Sequence, residues 1–365
     1  MTGTVRLLGP LADPRMRTAL GLAPGTATEP VAGRLIGGMR AGIEAGTWPV
    51  LAEGAGEVAA IRVATTPAFR RYAAVMGLKA VDADDGGPPL MGLQAQSDES
   101  GTWSATDWPG DLAAAIAHEV LAAPDRLDAE QVAARLPMIG VWAHSRLRAA
   151  ASPPSGGELV ARRGADDVRL HGRQEPYSGY FAVDVWKMSH RTHAGGFTPT
   201  VRREGFVMGD AVVVLPWDPV RDRLLVIEQF RVGPAFRRDP RPWLLEAIAG
   251  RIDAGEGIED AARREAQEEA GLKLGRLFPA IHHYPTPGAV TEYLYLYVGI
   301  ADLPDGSAGV HGLETETEDI RGHLVGRADL VRMVLDGQIT NGPLAMLVLW
   351  LEHRREGLLR ELAGS

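Results

Sequence analysis

Glu265, Glu268 and Glu269 stand in the stretch "GRIDAGEGIEDAARREAQEEAGL", residues 250–272, among alanines and between glycines. Gly257 and Gly271 bracket roughly four helical turns, with acids in the first turn and a terminal glycine suited to a left-handed cap. At about 100° per residue, Ile258, Ala262, Glu265 and Glu269 fall within a sector of roughly 60°, so two glutamates share the apolar face. Asp260, Arg263 and Gln267 take the opposite side, which solvent should claim. Glu268 lies at the edge of the apolar face, in phase with Arg264 for pairing. Two carboxylates one turn apart on an inward face repel each other and resist desolvation, and a hard divalent cation relieves both effects. Oxygen donors, and the absence of cysteine, favour Mg²⁺ or Mn²⁺ over zinc. The bland alternative is a solvated helix of i,i+4 Glu/Arg pairs.

The elements around this helix are legible from their periodicity. "GYFAVDVWKMSH" alternates like a half-buried strand, "GDAVVVLPWDPVRDRLLVIEQF" gives two β-branched runs around a turn, and "TEYLYLYVGI" places its tyrosines on one face of a further strand. Residues 328–362 read as two helices split by "DGQITNGP". Upstream, Val5–Leu8, Pro49–Leu51 and Val58–Val63 read as short strands and Thr66–Met76 as a helix with proline in its first turn. "DWPGDLAAAIAHEVLAAP" and "DAEQVAARLPMIGVWAHSRLRAAA" read as helices, followed by a linker in "AAASPPSGGELVARRGADD".

A length of 365 residues argues for two domains. The net charge of −9 argues against a nucleic-acid surface or a polybasic membrane patch, and the lack of cysteine removes disulfides and thiol chemistry. No apolar run is long enough for a signal peptide or a membrane span, so a cytoplasmic location is expected.

Read as Gly250, five residues, Glu256, seven residues and "REAQEEAGL", the segment resembles the Nudix box at every fixed position. The resemblance implies an α/β fold: a C-terminal Nudix α/β/α sandwich with a mixed sheet, hydrolysing a nucleoside diphosphate linked to another group. It also implies Glu265 and Glu269 as principal metal ligands, Glu268 and Arg264 as assisting residues, and the carbonyl of Ala249 as a further ligand. "YPTPGAVTEYLYLY", "VIEQFR", "PWLLEAIAG" and "GLETETEDIRGHLV" are similar to segments of the ADP-ribose pyrophosphatase subgroup. By position in these motifs, Arg231 and Glu292 would bind the diphosphate and ribose, Glu316 would be the base or water-orienting residue, and Glu318 a further metal ligand. On residues alone "ETETED" reads equally well as a solvated acidic turn, and His282 and His283 read as packing or substrate contacts rather than zinc ligands.

In that subgroup the region around Tyr180, Phe181, Arg202 and Arg203 crosses to a partner subunit, where an aromatic and an arginine hold the adenine. A homodimer is therefore expected, and the long apolar strand near 179–188 is expected to offer an exposed edge for pairing. Residues 4–80 look like a small α+β γ-glutamylcyclotransferase-like domain whose expected acid falls on Met76, so it is expected to be inactive. The whole resembles the Nudix proteins associated with tellurite resistance. The expected division is 1–80 for that domain, 81–151 for a helical extension, 152–165 for the linker and 166–365 for the Nudix domain. A piece beginning near Ser155 is expected to stay dimeric and active. The leading function is Mg²⁺-dependent conversion of ADP-ribose to AMP and ribose 5-phosphate. Another nucleoside diphosphate sugar such as GDP-mannose, or a non-catalytic sensor, is the alternative.

Overall fold

The computed structural model describes residues 3–82, 86–96, 100–152, 159, 163–312 and 318–364. It divides into two compact units, Met1–Met208 with Asp253–Gly255, and Gly209–Ile252 with Glu256–Ser365.

In the first unit, β1 (Thr4–Leu7), β2 (Thr26–Ile36), β3 (Val50–Ala64) and β4 (Leu90–Met91) form a sheet of order β2-β3-β1-β4. The two short strands expected at 49–51 and 58–63 are one strand, β3, because β2 pairs along it and carries it through "EGAGE". Pairing with a neighbour outweighs the poor strand propensity of glycine there. β2 itself is not evident in the sequence, since Pro30 and Gly33 interrupt its alternation; each coincides with a register shift against β3.

Around this sheet lie α1 (Pro14–Ala19), α2 (Pro67–Val75), α3 (Gly110–Ala122), α4 (Ala129–Ala133) and α5 (Leu136–Ala151). The single helix expected over 128–151 is broken between α4 and α5, with Pro137 in the first turn of α5, where its missing N–H costs nothing. Met76 caps the end of α2 and is fully buried.

The same unit contains a separate three-stranded sheet of β5 (Val168–Ser178), β6 (Ala182–His190) and β7 (Val201–Val207), in that order. β6 is hydrogen-bonded along both sides, Trp186 lying opposite Arg173 on β5 and Arg203 on β7. The expectation that this strand presents an exposed edge is therefore corrected: its amide and carbonyl rows are already paired, and β5 and β7 are the edges. Ala182 and Val207 are buried in one core with Phe69, Ile116, Ile139 and Trp142 from α2, α3 and α5. Arg135 donates to Glu175 at 2.8 Å with both side chains nearly buried.

The second unit is a mixed sheet between helices. Its strands are β8 (Ala211–Asp218), β9 (Arg223–Phe230), β10 (Trp243–Glu246), β11 (Ile248–Arg251), β12 (Leu277–Pro279), β13 (Leu294–Ile300), β14 (Val310–His311) and β15 (Ile320–Gly326). The helices are α6 (Val232–Arg237), α7 (Ile258–Ala270), α8 (Arg327–Leu335) and α9 (Gly342–Ala363). The main strand order is β12-β13-β8-β9-β15-β14, with β13 parallel to β8.

The expected hairpin of β8 and β9 pairs only at its tip, Trp217 with Leu224 and Asp218 with Arg223. Beyond the tip the strands splay. Residues 243–251 fill the gap, β10 pairing with β9 and β11 with β8, with buried Ala247 at the change of partner.

Alternation decides which helix each strand residue meets. Val212 and Val214 pack with Ala261, Ala262 and Ala266 of α7. Val213, Leu215 and Trp217 pack with Leu344, Leu347, Val348 and Leu351 of α9. β8 is buried on both faces, which is why it reads as a continuous apolar run. The sheet thus lies between α7 and the α8–α9 pair. No helix among the described residues is long and apolar enough to cross a membrane.

Candidate active site

Helix α7 adopts the phase anticipated from its sequence. Gly257 is its N-cap, and Gly271 ends it at φ +62° in the left-handed region. Asp260, Arg263 and Gln267 are exposed, whereas Ala261, Ala262, Ala266 and Glu269 are buried against the sheet. Alanines at these positions let the helix approach β11 and β8 closely, which brings its glutamates onto the backbone of residues 249–250.

Glu269 is 2% exposed and accepts a hydrogen bond from the Ala249 amide at 3.0 Å. Burial pushes its carboxyl up to about 8, against that hydrogen bond, and neighbouring Glu265 adds to the rise. Burial likewise pushes Glu265 up to about 7, although Arg264 beside it acts in the opposite direction. The approach of Glu265 to β11 depends on a glycine: a Cβ on Gly250 would lie 1.8 Å from Glu265 Oε1.

Arg264 is the local counter-charge. It donates from Nη1 to Glu265 at 2.8 Å and to Glu268 at 2.9 Å, and from Nη2 to the Arg251 carbonyl at 2.9 Å. It also holds both oxygens of Glu256, at 2.8 and 3.0 Å. Glu256 comes from the loop before α7, so one guanidinium ties that loop, the end of β11 and the helix together.

Arg231, just after β9, donates from Nε to Glu246 at 2.8 Å and approaches the same oxygen with Nη2 at 2.6 Å. Its charge is felt by Glu269 and Glu292, and the charge of Glu318 in turn acts on Arg231, Glu265 and Glu269. Glu292 is raised by burial, against the attraction of Arg231, with Asp210 adding to the rise. Arg231, Glu265, Glu269, Glu292 and Glu318 therefore share one electrostatic neighbourhood at the end of the splayed strands.

The remaining expected positions fall elsewhere. Glu316, with Glu314, lies outside the described residues. His282 accepts from the Leu296 amide at 3.1 Å and packs on Tyr295 and Tyr297, as a structural histidine does. Tyr180, Phe181, Arg202 and Arg203 belong to the first unit. There Tyr180 and Phe181 are in edge-to-face contact at 4.8 Å, and Phe181 touches Phe206. Arg202 pairs with Glu204, and Arg203 donates to the Arg202 carbonyl at 3.0 Å.

Two residues with no assigned role in the sequence reading are central to this geometry: Glu256, on Arg264, and Glu246, on Arg231. Glu256 is a fixed letter of the box, and Glu246 is the sole acid of "PWLLEAIAG". Both signals were present, but only the fold shows what each carboxylate holds.

The donors fit a hard divalent cation. Glu269 is buried and Glu265 largely so, and their raised carboxyls need a compensating positive charge to ionise at neutral pH. Among the described residues no three His, Asp or Glu side chains already converge on one point, and Oε1 of Glu265 rests on Arg264.

Comparison with known proteins agrees with this geometry. The family described as NUDIX domain matches residues 208–343, which contain the splayed strands, the box helix and the acidic segment after β14. The chain belongs to the Nudix family and is a Nudix hydrolase. Within it, the chain is 42% identical over 200 residues to the ADP-ribose pyrophosphatase of Escherichia coli (strain K12), covering 55% of this chain and 95% of that protein. It is 36% identical over 188 residues to the ADP-ribose pyrophosphatase of Haemophilus influenzae, covering 51% of this chain and 86% of that one. Identity to the GDP-mannose pyrophosphatase of Enterobacter sp. (strain 638) is 29% over 151 residues, or 41% of this chain and 78% of that protein.

Proposed function

We propose that the protein hydrolyses the diphosphate of ADP-ribose, giving AMP and ribose 5-phosphate, with Mg²⁺ as cofactor and Mn²⁺ as a possible substitute. The observation that carries this reading is the pair of inward-facing carboxylates, buried Glu269 and largely buried Glu265, one turn apart on α7 and set against the backbone of Ala249 and Gly250. A site built only to bind an anionic substrate would place cations there rather than two desolvated acids. The identity to two ADP-ribose pyrophosphatases exceeds that to the GDP-mannose enzyme, which favours ADP-ribose as substrate.

In this reading Glu265, Glu269, Glu318 and the Ala249 carbonyl hold the metal. A Mg²⁺ ion held by these residues would supply positive charge to offset the diphosphate and the charge on the leaving phosphate. Glu268 and Arg264 keep the ligands in place, Arg231 binds the diphosphate, Glu292 contacts the ribose, and Glu316 removes the proton of the attacking water. Tyr180 or Phe181, with Arg202 or Arg203, holds the adenine of a partner subunit in a homodimer. Since β6 is central, pairing between copies would use β5 or β7. Residues 1–80 are read as an inactive γ-glutamylcyclotransferase-like domain, since the residue at its expected acid position is the buried Met76, and the domain borders, the cytoplasmic location and the tellurite-resistance association belong to the same proposal.

A panel of nucleoside diphosphate sugars assayed with and without Mg²⁺, with products identified, tests the reading. ADP-ribose should be turned over with the highest kcat/KM and yield AMP. A preference for GDP-mannose would transfer the assignment to the second substrate class, and binding without turnover of any member would make the protein a sensor.

A further inference from the structure

The carboxylate that holds Arg231 is itself held from a distant part of the chain. Glu246, at the end of β10, is 5% exposed. Its Oε2 receives Arg231 and, at 3.4 Å, the amide of Gln229 from β9. Its Oε1 receives the side-chain amide of Asn341 at 2.9 Å. Asn341 is also the N-cap of α9, its side-chain oxygen accepting from the Leu344 amide at 2.9 Å. The two ends of one amide group thus serve two tasks: the oxygen starts the last helix and the nitrogen fixes Glu246. Arg231, by contrast, keeps 40% of its side chain exposed, so it can meet a ligand while its inner edge rests on Glu246.

We propose that Asn341 is a positioning residue for the reaction: through Glu246 it orients Arg231 toward the diphosphate of the substrate. This rests on the reading of Arg231 as a diphosphate ligand. A phosphate oxygen competes with Glu246 for the guanidinium. If Glu246 could turn with Arg231, the arginine would lose its direction at the moment of binding. The Asn341 amide pins one oxygen of Glu246, leaving the other in register for Nε and Nη2, so the forked cation is presented at a fixed angle. The cap alone requires only an oxygen. Asp and Asn are nearly equivalent N-caps, and Ser is close behind, so the choice of an amide at 341 is explained by Glu246 and not by α9.

This separation of tasks defines the test. Asn341→Asp preserves the cap but places a carboxylate against Glu246; Asn341→Ser preserves the cap and removes the donor without adding charge. Both are assayed beside Arg231→Ala on whichever nucleoside diphosphate sugar the wild type turns over fastest, so that a wrong base assignment leaves the test intact. In Asn341→Asp the KM should rise about tenfold with kcat within about threefold, inhibition by inorganic pyrophosphate should weaken by a similar factor, and Tm should stay within a few degrees. Asn341→Ser should show a smaller rise in KM in the same direction. Wild-type KM in both Asn341 variants, beside a raised KM in Arg231→Ala, overturns the positioning role while the reading of Arg231 stands. Wild-type KM in Arg231→Ala as well overturns that reading, and the positioning role with it. If Asn341→Asp fails to fold, Asn341→Ser decides.

Discussion

A single nitrogen of Arg264, Nη1, bonds Glu265 at 2.8 Å and Glu268 at 2.9 Å. One cation therefore fixes the spacing between a proposed metal ligand and its neighbour while its other nitrogens hold Glu256 and the Arg251 carbonyl. Replacing it with glutamine leaves three carboxylates close together without their counter-charge. Arg264→Gln should cost about 2–3 kcal/mol in unfolding free energy, because a partly buried ion network loses the cation shared by Glu256, Glu265 and Glu268. It should also lower kcat by at least about a hundredfold, and Arg264→Lys should recover little, since an ammonium cannot make the forked contact with Glu256. Denaturant titration and steady-state kinetics on both variants measure these effects; a fully active Arg264→Lys would mean that charge alone suffices.

Gly250 offers a test of the geometry by steric means. Gly250→Ala sets a methyl 1.8 Å from the present position of Glu265 Oε1, so Glu265 must swing away or β11 must shift. The Mg²⁺ concentration for half-maximal activity should rise about tenfold or more, with Tm lowered by only a few degrees. Metal titrations of wild type and variant decide it, and an unchanged Mg²⁺ dependence would show that Glu265 does not need this approach.

Asp218, at the tip of the β8–β9 hairpin, makes the fold sensitive to acid. Burial alone would raise its carboxyl, but bonds from the Arg221 amide and guanidinium and from the Leu303 and Val220 amides bring it down to about 2. A depressed native value means the stabilisation is complete above the ordinary carboxylate range near 4 and is lost as pH falls toward 2. Asp218→Asn should cost about 2 kcal/mol at pH 7, and the gap between variant and wild type should narrow as pH drops below about 4. Urea midpoints measured from pH 7 to pH 2.5 would show this; a gap that stays constant would exclude Asp218 as a titrating contributor.

The box helix was legible because its chemistry and its periodicity coincide: alanines, glutamates and the terminal glycine all follow from residue type and phase. The tyrosine alternation of β13 was legible for the same reason, with Tyr295 and Tyr297 facing the α7 side and Leu296 and Val298 facing α9. Long-range pairing was not. Nothing in "LLVIEQF" says that β8 and β9 part after two residue pairs, and Pro30 and Gly33 conceal β2, whose pairing with β3 supplies what its own propensity lacks. The carboxylates that orient the two arginines were hidden for a related reason. Glu246 and Asn341 are 95 positions apart, and no local pattern records a hydrogen bond of that span.

The core of the first unit weighs against the expectation that a piece beginning near Ser155 would stay dimeric and active. Removing residues 1–154 would uncover Ala182 and Val207 and leave Glu175 without Arg135. The shortened protein should aggregate or lose its β5–β7 sheet, and light scattering with circular dichroism reads this directly. A monodisperse, fully active product would show instead that the three-stranded sheet is self-sufficient.

The central claim is that the inward-facing carboxylates of α7, Glu265 and Glu269, hold the metal on which hydrolysis depends. Its most direct test is ADP-ribose hydrolysis by Glu269→Gln across a Mg²⁺ titration, with AMP quantified and folding checked by Tm. Glutamine keeps the oxygen that accepts from Ala249 but removes the charge. We predict a Tm equal to or above that of wild type, because a desolvated acid is gone, and a kcat lowered by at least about a thousandfold that high Mg²⁺ does not restore. Near-normal AMP production by this variant at low Mg²⁺ would contradict the account.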